Sequence, residues 1–216
     1  GDRTNNAIYR LLLEETGDDT AIFEGSVEYI MLNQLNVDKR ATYLGLETIS
    51  DAIDIIVHED LTDEDSPRIN YYDMGADGVS TQIADQVAAP SHSGTVSFDS
   101  ENYKIADTVV VTLDDQDLNT DSELIDVYIT HDDNLVGDGA GDHIADITFD
   151  DNTWLALQAT GFTLVETGVD SGIFTGSFQV PEYYTGTTTA TGTDIEVNYQ
   201  DYRDASGETI EVGDGA

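Results

Sequence analysis

Residues 13–27 read LEETGDDTAIFEGSV, and residues 164–178 read LVETGVDSGIFTGSF. At a constant offset of 151 residues the two stretches share Leu13/Leu164, Glu15/Glu166, Thr16/Thr167, Gly17/Gly168, Asp19/Asp170, Ile22/Ile173, Phe23/Phe174, Gly25/Gly176 and Ser26/Ser177. Identity at that density marks tandem copies of one structural unit, and tandem units on one chain usually build rods, walls or arrays. Each stretch reads as a turn feeding a strand. Gly17 and Gly168 are expected to supply positive φ. Phe23 and Phe174 are expected to share a buried sheet face, with their neighbours on the other face. The motif therefore argues fold and repetition rather than a site.

A second echo extends the match. INYYD at 69–73 and VNYQD at 197–201 are each followed by an acidic, glycine-containing turn. The order of hairpin, N-Y-x-D strand and Asp/Gly turn thus occurs twice. The first copy carries about twenty extra residues, assigned to an inserted hairpin or short helix within 33–66. The alternative alignment matches Asp54–Val57 to Asp194–Val197.

Period-two alternation dominates the remainder. Ile195, Val197 and Tyr199 fall on one face, and so do Val109, Val111 and Leu113. Further strands are expected at 27–32, 53–57, 69–72, 95–98, 125–130, 144–149, 161–165, 172–180 and 208–212. A short helix fits 35–44 or 151–158. The fold class is all-β: tandem immunoglobulin-like β-sandwich domains, the first one partial. QVAAPSHSG at 86–94 marks the boundary. The expected domains are 1–88, a partial sandwich with an inserted segment, and 93–216, a complete one. The chain opens GDRTNN with neither an initiator Met nor a visible signal peptide, which suggests a processed or excised segment.

Charge is the other strong signal. Seven basic residues against 45 acidic ones give a net charge of −38. A phosphate backbone demands a basic footprint, so nucleic acid is excluded as a direct partner. Anionic membranes are disfavoured for the same reason, and no apolar run approaches the roughly 20 residues of a membrane span. Eleven Tyr and six Phe set the chain apart from acidic disordered tails, which are poor in aromatics. Cysteine is absent, so disulfide and thiol chemistry are excluded.

The acid is concentrated in one loop. Asp115, Asp117, Asn119, Asp121, Glu123 and Asp126 place oxygen ligands at near-alternate positions, and calcium takes six to eight oxygens. The spacing is not an EF-hand, because Thr120 stands where that loop needs Gly and the flanks read as strands. Two readings remain: a strand-to-strand calcium loop, and a solvated acidic turn. Asp73 with Asp77 and Asp201 with Asp204 are secondary metal candidates.

The order Gly94-Thr-Val-Ser-Phe98-Asp99, Tyr103, Asp107 to Leu113, Asp115 to Asn119, Glu166 to Gly176 and Tyr199-Gln-Asp201 resembles the repeated immunoglobulin-like domains of archaeal surface-layer (S-layer) proteins, especially those of ammonia-oxidising archaea. The resemblance covers 94–201 as one full unit and 13–73 as a partial one. It implies a structural, non-enzymatic, extracellular lattice subunit that self-associates and uses divalent cations at its contacts. A wall of such domains would also concentrate cations, including ammonium, at the cell surface. The alternative is a secreted adhesin or carbohydrate-binding module, with Trp154, Tyr183 and Tyr184 as candidate contacts.

Enzymatic readings find little support. His58, His92, His131 and His143 lack zinc-enzyme spacing. No nucleophile elbow surrounds Ser91 and His92. No catalytic or cofactor-binding residue is assigned.

Overall fold

The computed structural model describes residues 8–9, 12–27, 29–33, 36–37, 40, 49–50, 55–57, 66–129, 144–153 and 162–216. The expected helices at 35–44 and 151–158, most of the insert at 33–66, Trp154, His58, His131 and His143 lie wholly or mainly outside these residues. The regular elements described are strands and a 3-10 turn at Gln116–Leu118. The fold is all-β. Among the described residues no helix is long and apolar enough to cross a membrane.

The front of the chain contributes β1 (Ile8–Tyr9), β2 (Glu14–Glu15), β3 (Phe23–Glu24), β4 (Tyr29–Met31), β5 (Ile49–Ser50) and β6 (Ile55–Val57). β2 and β3 form a hairpin, while β1 pairs with β5 and β4 with β6 in parallel. Met31, Val57 and Ala89 make a small core of their own, with Ile55 packed against it. A long hairpin follows, β7 (Arg68–Met74) against β8 (Ser80–Gln86).

The larger set of strands begins at Thr95. Its strands are β9 (Thr95–Phe98), β10 (Thr108–Asp114), β11 (Val127–Ile129), β12 (Ala145–Phe149), β13 (Asn152–Thr153), β14 (Thr163–Glu166), β15 (Ile173–Gln179), β16 (Tyr183–Tyr184), β17 (Thr187–Thr188), β18 (Ile195–Asp201) and β19 (Ile210–Gly215). One sheet runs β11-β14-β15-β10-β9 and a second runs β13-β12-β18-β19. Their inner faces share one core. Val109, Val111, Leu113, Leu164, Phe174 and Phe178 come from the first sheet, and Ile147, Phe149, Ile195, Val197 and Tyr199 from the second. These are the alternate positions that period two assigns to a single face. Phe98 N donates to Asp214 Oδ2 at 2.8 Å, tying the edge strand β9 to the edge strand β19.

The repeated motif folds the same way twice. β2 and β3 pair Glu14 with Glu24 and Glu15 with Phe23; β14 and β15 pair Val165 with Thr175 and Glu166 with Phe174. Both registers obey the 151-residue offset. Thr16 N donates to Ile22 O at 2.9 Å, and Thr167 N to Ile173 O at 2.8 Å. A Cβ on Gly25 would stand 2.5 Å from Leu12 O, and one on Gly176 stands 2.5 Å from Thr163 O. That close approach of backbone explains the shared glycine. Positive φ falls on Asp19 (57°) and Ala21 (54°), and on Asp170 (59°) and Gly172 (61°). It does not fall on Gly17 or Gly168, which correct the expectation: the turn reverses two to four residues later than these glycines.

The copies differ in what covers them. Phe174 is 0% exposed, whereas Phe23 is 57% exposed. The expected burial of Phe23 is therefore not met: among the described residues β3 pairs with β2 alone and no second sheet packs on its face, whereas Phe174 lies in the core between the two large sheets. In the same way Tyr199 is 1% exposed and Tyr71 is 62% exposed. Of the two sequence alignments, the N-Y-x-D one matches the hairpins. Residues 68–74 and 195–201 each pair antiparallel with the strand that follows, whereas 55–57 pairs in parallel with 29–31.

Candidate metal centre

Two apolar stripes run out at the same end of the sandwich, and each ends in an aspartate. On β10 the inward positions Val109, Val111 and Leu113 continue into Asp115. On β18 Ile195, Val197 and Tyr199 continue into Asp201. Asp115, Asp117 and Asp201 are all buried. The Tyr199 hydroxyl donates to Asp115 Oδ2 across the sheets. Asp117 N donates to Asp115 Oδ1 at 2.9 Å, so Asp115 also caps the 3-10 turn at 116–118. Gly94 N donates to Asp201 Oδ2 at 2.8 Å and Arg203 N to Asp201 Oδ1 at 2.9 Å. A Cβ on Gly94 would collide with the Tyr199 ring and lie 3.0 Å from Asp115 Oδ2, so glycine lets the chain pass between the two carboxylates. His92 closes the group: its N donates to Asp117 Oδ2 at 3.0 Å, and its Nδ1 lies 2.8 Å from Asp117 Oδ1.

Burial is the largest influence on Asp115 and Asp201. It pushes the Asp115 carboxyl up to about 7, against the hydrogen bonds from Tyr199 and Asp117, and the charges of Asp201 and Asp117 push the same way. Asp201 is also raised, by burial first and then by Asp117 and Asp204, against its two backbone donors. Desolvation penalises the anion. The three carboxylates are thus a buried, mutually repelling set.

The other candidate ligands do not join them. Asp126 turns back into its own loop, accepting from Thr120 N at 2.7 Å and Thr120 Oγ1 at 2.8 Å. Asp121 Oδ1 accepts from Glu123 N at 2.9 Å, and Glu123 is exposed. Asn119 Nδ2 donates to Asp170 Oδ1 at 2.7 Å, while its Oδ1 is buried without a hydrogen-bond partner. Asp204 caps the turn at 204–208, accepting from Ser206 Oγ at 2.7 Å and Glu208 N at 3.0 Å. Asp77 Oδ1 accepts from Val79 N at 3.0 Å, and Asp73 is exposed on β7. The loop at 115–126 therefore splits. Its first two aspartates are buried, Asp121 and Asp126 cap N–H groups of their own loop, Asn119 reaches across to Asp170 and Glu123 is exposed. Among the described residues no group of three or more His, Asp or Glu is arranged to hold a metal ion. In donor chemistry the buried trio and the orphan Asn119 oxygen suit a hard, oxygen-seeking dication, but they do not form a closed ligand sphere.

Glu166, Tyr199 and Gly94 shape this end of the molecule although the sequence gives them no site role. Glu166 is buried, and its Oε1 accepts from Ser171 N at 2.7 Å and Gly172 N at 3.0 Å, while Oε2 accepts from Asp126 N at 3.1 Å. Burial raises its carboxyl, but the N–H groups of Asp126, Gly172 and Ser171 outweigh it and hold the group below the usual range. Glu15 repeats the geometry, accepting from Ala21 N at 2.7 Å. The repeat itself is the signal for Glu166, since an acid kept in both turns has a turn to cap.

A cleft of about 710 Å³ opens beside the acidic loop, lined by Val27, Tyr29, Asp117, Asn119, Glu123 and Asp170 among others. Asn33 Nδ2 donates to Asp117 O at 2.9 Å and fastens the front segment to the loop. Burial and then the charge of Asp117 raise the Tyr29 hydroxyl above its ordinary value. No protein-family model matches the chain, and no curated protein matches it.

Proposed function

We propose that this chain is a structural segment of an extracellular surface lattice, an S-layer-type subunit built from tandem immunoglobulin-like sandwiches. Its anionic ends are neutralised by calcium, and copies associate with one another. It carries no catalytic role in this reading. The observation that carries it is the Glu-capped hairpin, built twice to the same register on one chain of net charge −38. Duplicated scaffolds serve extended assemblies rather than single pockets. In this reading calcium neutralises Asp115, Asp117 and Asp201, whose mutual repulsion burial strengthens, with the rest of its ligand sphere supplied on rearrangement of the loop or by a neighbouring copy.

The test is a calcium titration of the purified chain followed by electron microscopy. Ordered two-dimensional arrays at millimolar calcium, lost on chelation, support the proposal. A monodisperse monomer under every cation condition overturns it. A sheet of such units would hold ammonium and other cations in its acid-lined pores, where screening is least effective. Ammonium partitioning no greater than that of a neutral tracer would remove that part.

A second reading, a secreted adhesin or carbohydrate-binding module, is favoured by exposed tyrosines. Tyr71 and Tyr72 stand open on β7, and Tyr183 is exposed while Tyr184 stacks on Phe149 in the core. Saturable binding on a glycan array would promote it.

A further inference from the structure

The two copies of the hairpin give a direct comparison of one surface, covered in one place and bare in the other. In the second copy β10 lies along β15, pairing Val109 with Phe178, Val111 with Gly176 and Leu113 with Phe174. The 151-residue offset carries those partners onto Val27, Gly25 and Phe23. In the first copy no described strand occupies that edge of β3. Leu13, Phe23 and Val27 are exposed, and their counterparts Leu164, Phe174 and Phe178 are buried. Over Phe23–Glu24 the backbone is already in the receiving conformation, since register, turn hydrogen bonds and the Gly25 close approach all repeat, and residues 25–27 would extend the strand on pairing.

We propose that the edge of β3, residues 22–27, is a docking site for an extended polypeptide segment that adds to it as an antiparallel strand, in the manner of β10. The second copy defines the occupant's chemistry. It is a strand with β-branched or aliphatic residues at alternate positions, on the pattern Thr108-Val-Val-Val-Thr-Leu113. Charge narrows it further. The hairpin rim carries Glu14, Glu15, Asp18, Asp19 and Glu24. The residue facing Glu24 is therefore neutral or basic, as Thr112 is opposite Thr175 in the second copy. Main-chain pairing provides affinity, and the alternate side chains provide register, as in other strand-addition complexes. The edge repeats, at the 151-residue offset, one that the chain already pairs within its larger unit.

The inference rests on the tandem-unit part of the proposed function. It does not depend on calcium or on a lattice, and its test involves neither, so the two fail separately. The probe is a synthetic peptide of residues 94–114, titrated into the intact chain in chelator and followed by fluorescence polarisation and amide hydrogen exchange. Saturable binding with new protection confined to 22–27 is expected. Phe23→Asp should weaken binding at least about tenfold without moving the melting temperature, because Phe23 is exposed and supports no core. Val27→Asp should act likewise. A peptide with the same composition in scrambled order should not bind. No saturable binding overturns the proposal. So does protection at 173–179 instead of 22–27, or binding that survives Phe23→Asp.

Discussion

Asp115 and Asp201 were legible in part. Both stand in phase with an apolar stripe, so strict alternation places them inward, and an acid that follows Val-x-Val-x-Leu in step is an acid facing the core. Spacing alone missed that they meet, because sheet pairing brings together residues far apart in sequence. It also grouped Asp121, Glu123 and Asp126 with them, whereas the Asp121 and Asp126 side chains serve N–H groups of their own loop and Glu123 is exposed. The buried pair has a measurable consequence. A carboxyl raised from 3.8 to about 7 by burial stabilises the fold fully at pH below the lower value, and the contribution fades as pH rises through the higher one. In chelator, stability is therefore expected to fall between about pH 4 and about pH 7, by a few kcal/mol, as followed by thermal melts across pH. Asp115→Asn should flatten that decline and raise the melting temperature at neutral pH. It should also abolish the added stability that calcium gives the parent chain, a gain expected from mass action on the native state. A parent chain whose melting curve is unchanged between chelator and excess calcium would leave the solvated-turn reading in its place. Glu166 makes a second residue-scale case. Glu166→Ala strands the buried N–H of Gly172 and the half-buried N–H groups of Asp126 and Ser171, and should cost on the order of 3 kcal/mol in a denaturant titration. Glu15→Ala, at the exposed copy of the same turn, should cost well under about 1 kcal/mol.

At the scale of the element, identical hairpins sit in unlike surroundings. β2–β3 and β7–β8 are exposed throughout their described residues, while β10, β15 and β18 bury alternate side chains. Amides in 12–27 and 68–86 should then exchange on the order of a hundredfold faster than those in 108–114, 173–179 and 195–201, read by mass spectrometry. Gly176→Ala and Gly25→Ala make a matched pair. A methyl group at 176 meets Thr163 O at 2.5 Å and the Phe162 ring at 2.8 Å, inside the core, and should lower the melting temperature of the sandwich. The same change at 25 meets Leu12 O at 2.5 Å on the surface, and should leave that transition unmoved. Most strands of the larger unit were readable from alternation and turn residues, including β9, β10, β12, β15 and β18. Alternation cannot tell whether a stripe has a cover. Leu13, Phe23, Ile69 and Tyr71 carry the same pattern as their buried equivalents, so their exposure follows from what packs on their face and not from anything local. The pair β16–β17 went unread because a two-residue strand offers no period.

For the molecule as a whole, the charge sets the working conditions. A net charge of −38 is screened over about 10 Å in 0.1 M salt but over about 30 Å at 0.01 M. Melting temperature should therefore rise with monovalent salt over that range and then level off, because repulsion beyond neighbouring loops is extinguished first. Divalent cations should act at far lower concentration if they enter the buried carboxylates, and the separation of the two curves measures site binding against general screening. The hairpin that forms without a core has one last implication, for the order in which the chain acquires its shape. Its Glu-to-amide clasp links Glu15 to Ala21, six positions apart, and its partner clasp links Glu166 to Gly172. Contacts that short close within microseconds. Such turns are ready-made nuclei, fixing strand alignment before the distant segments of the sandwich arrive.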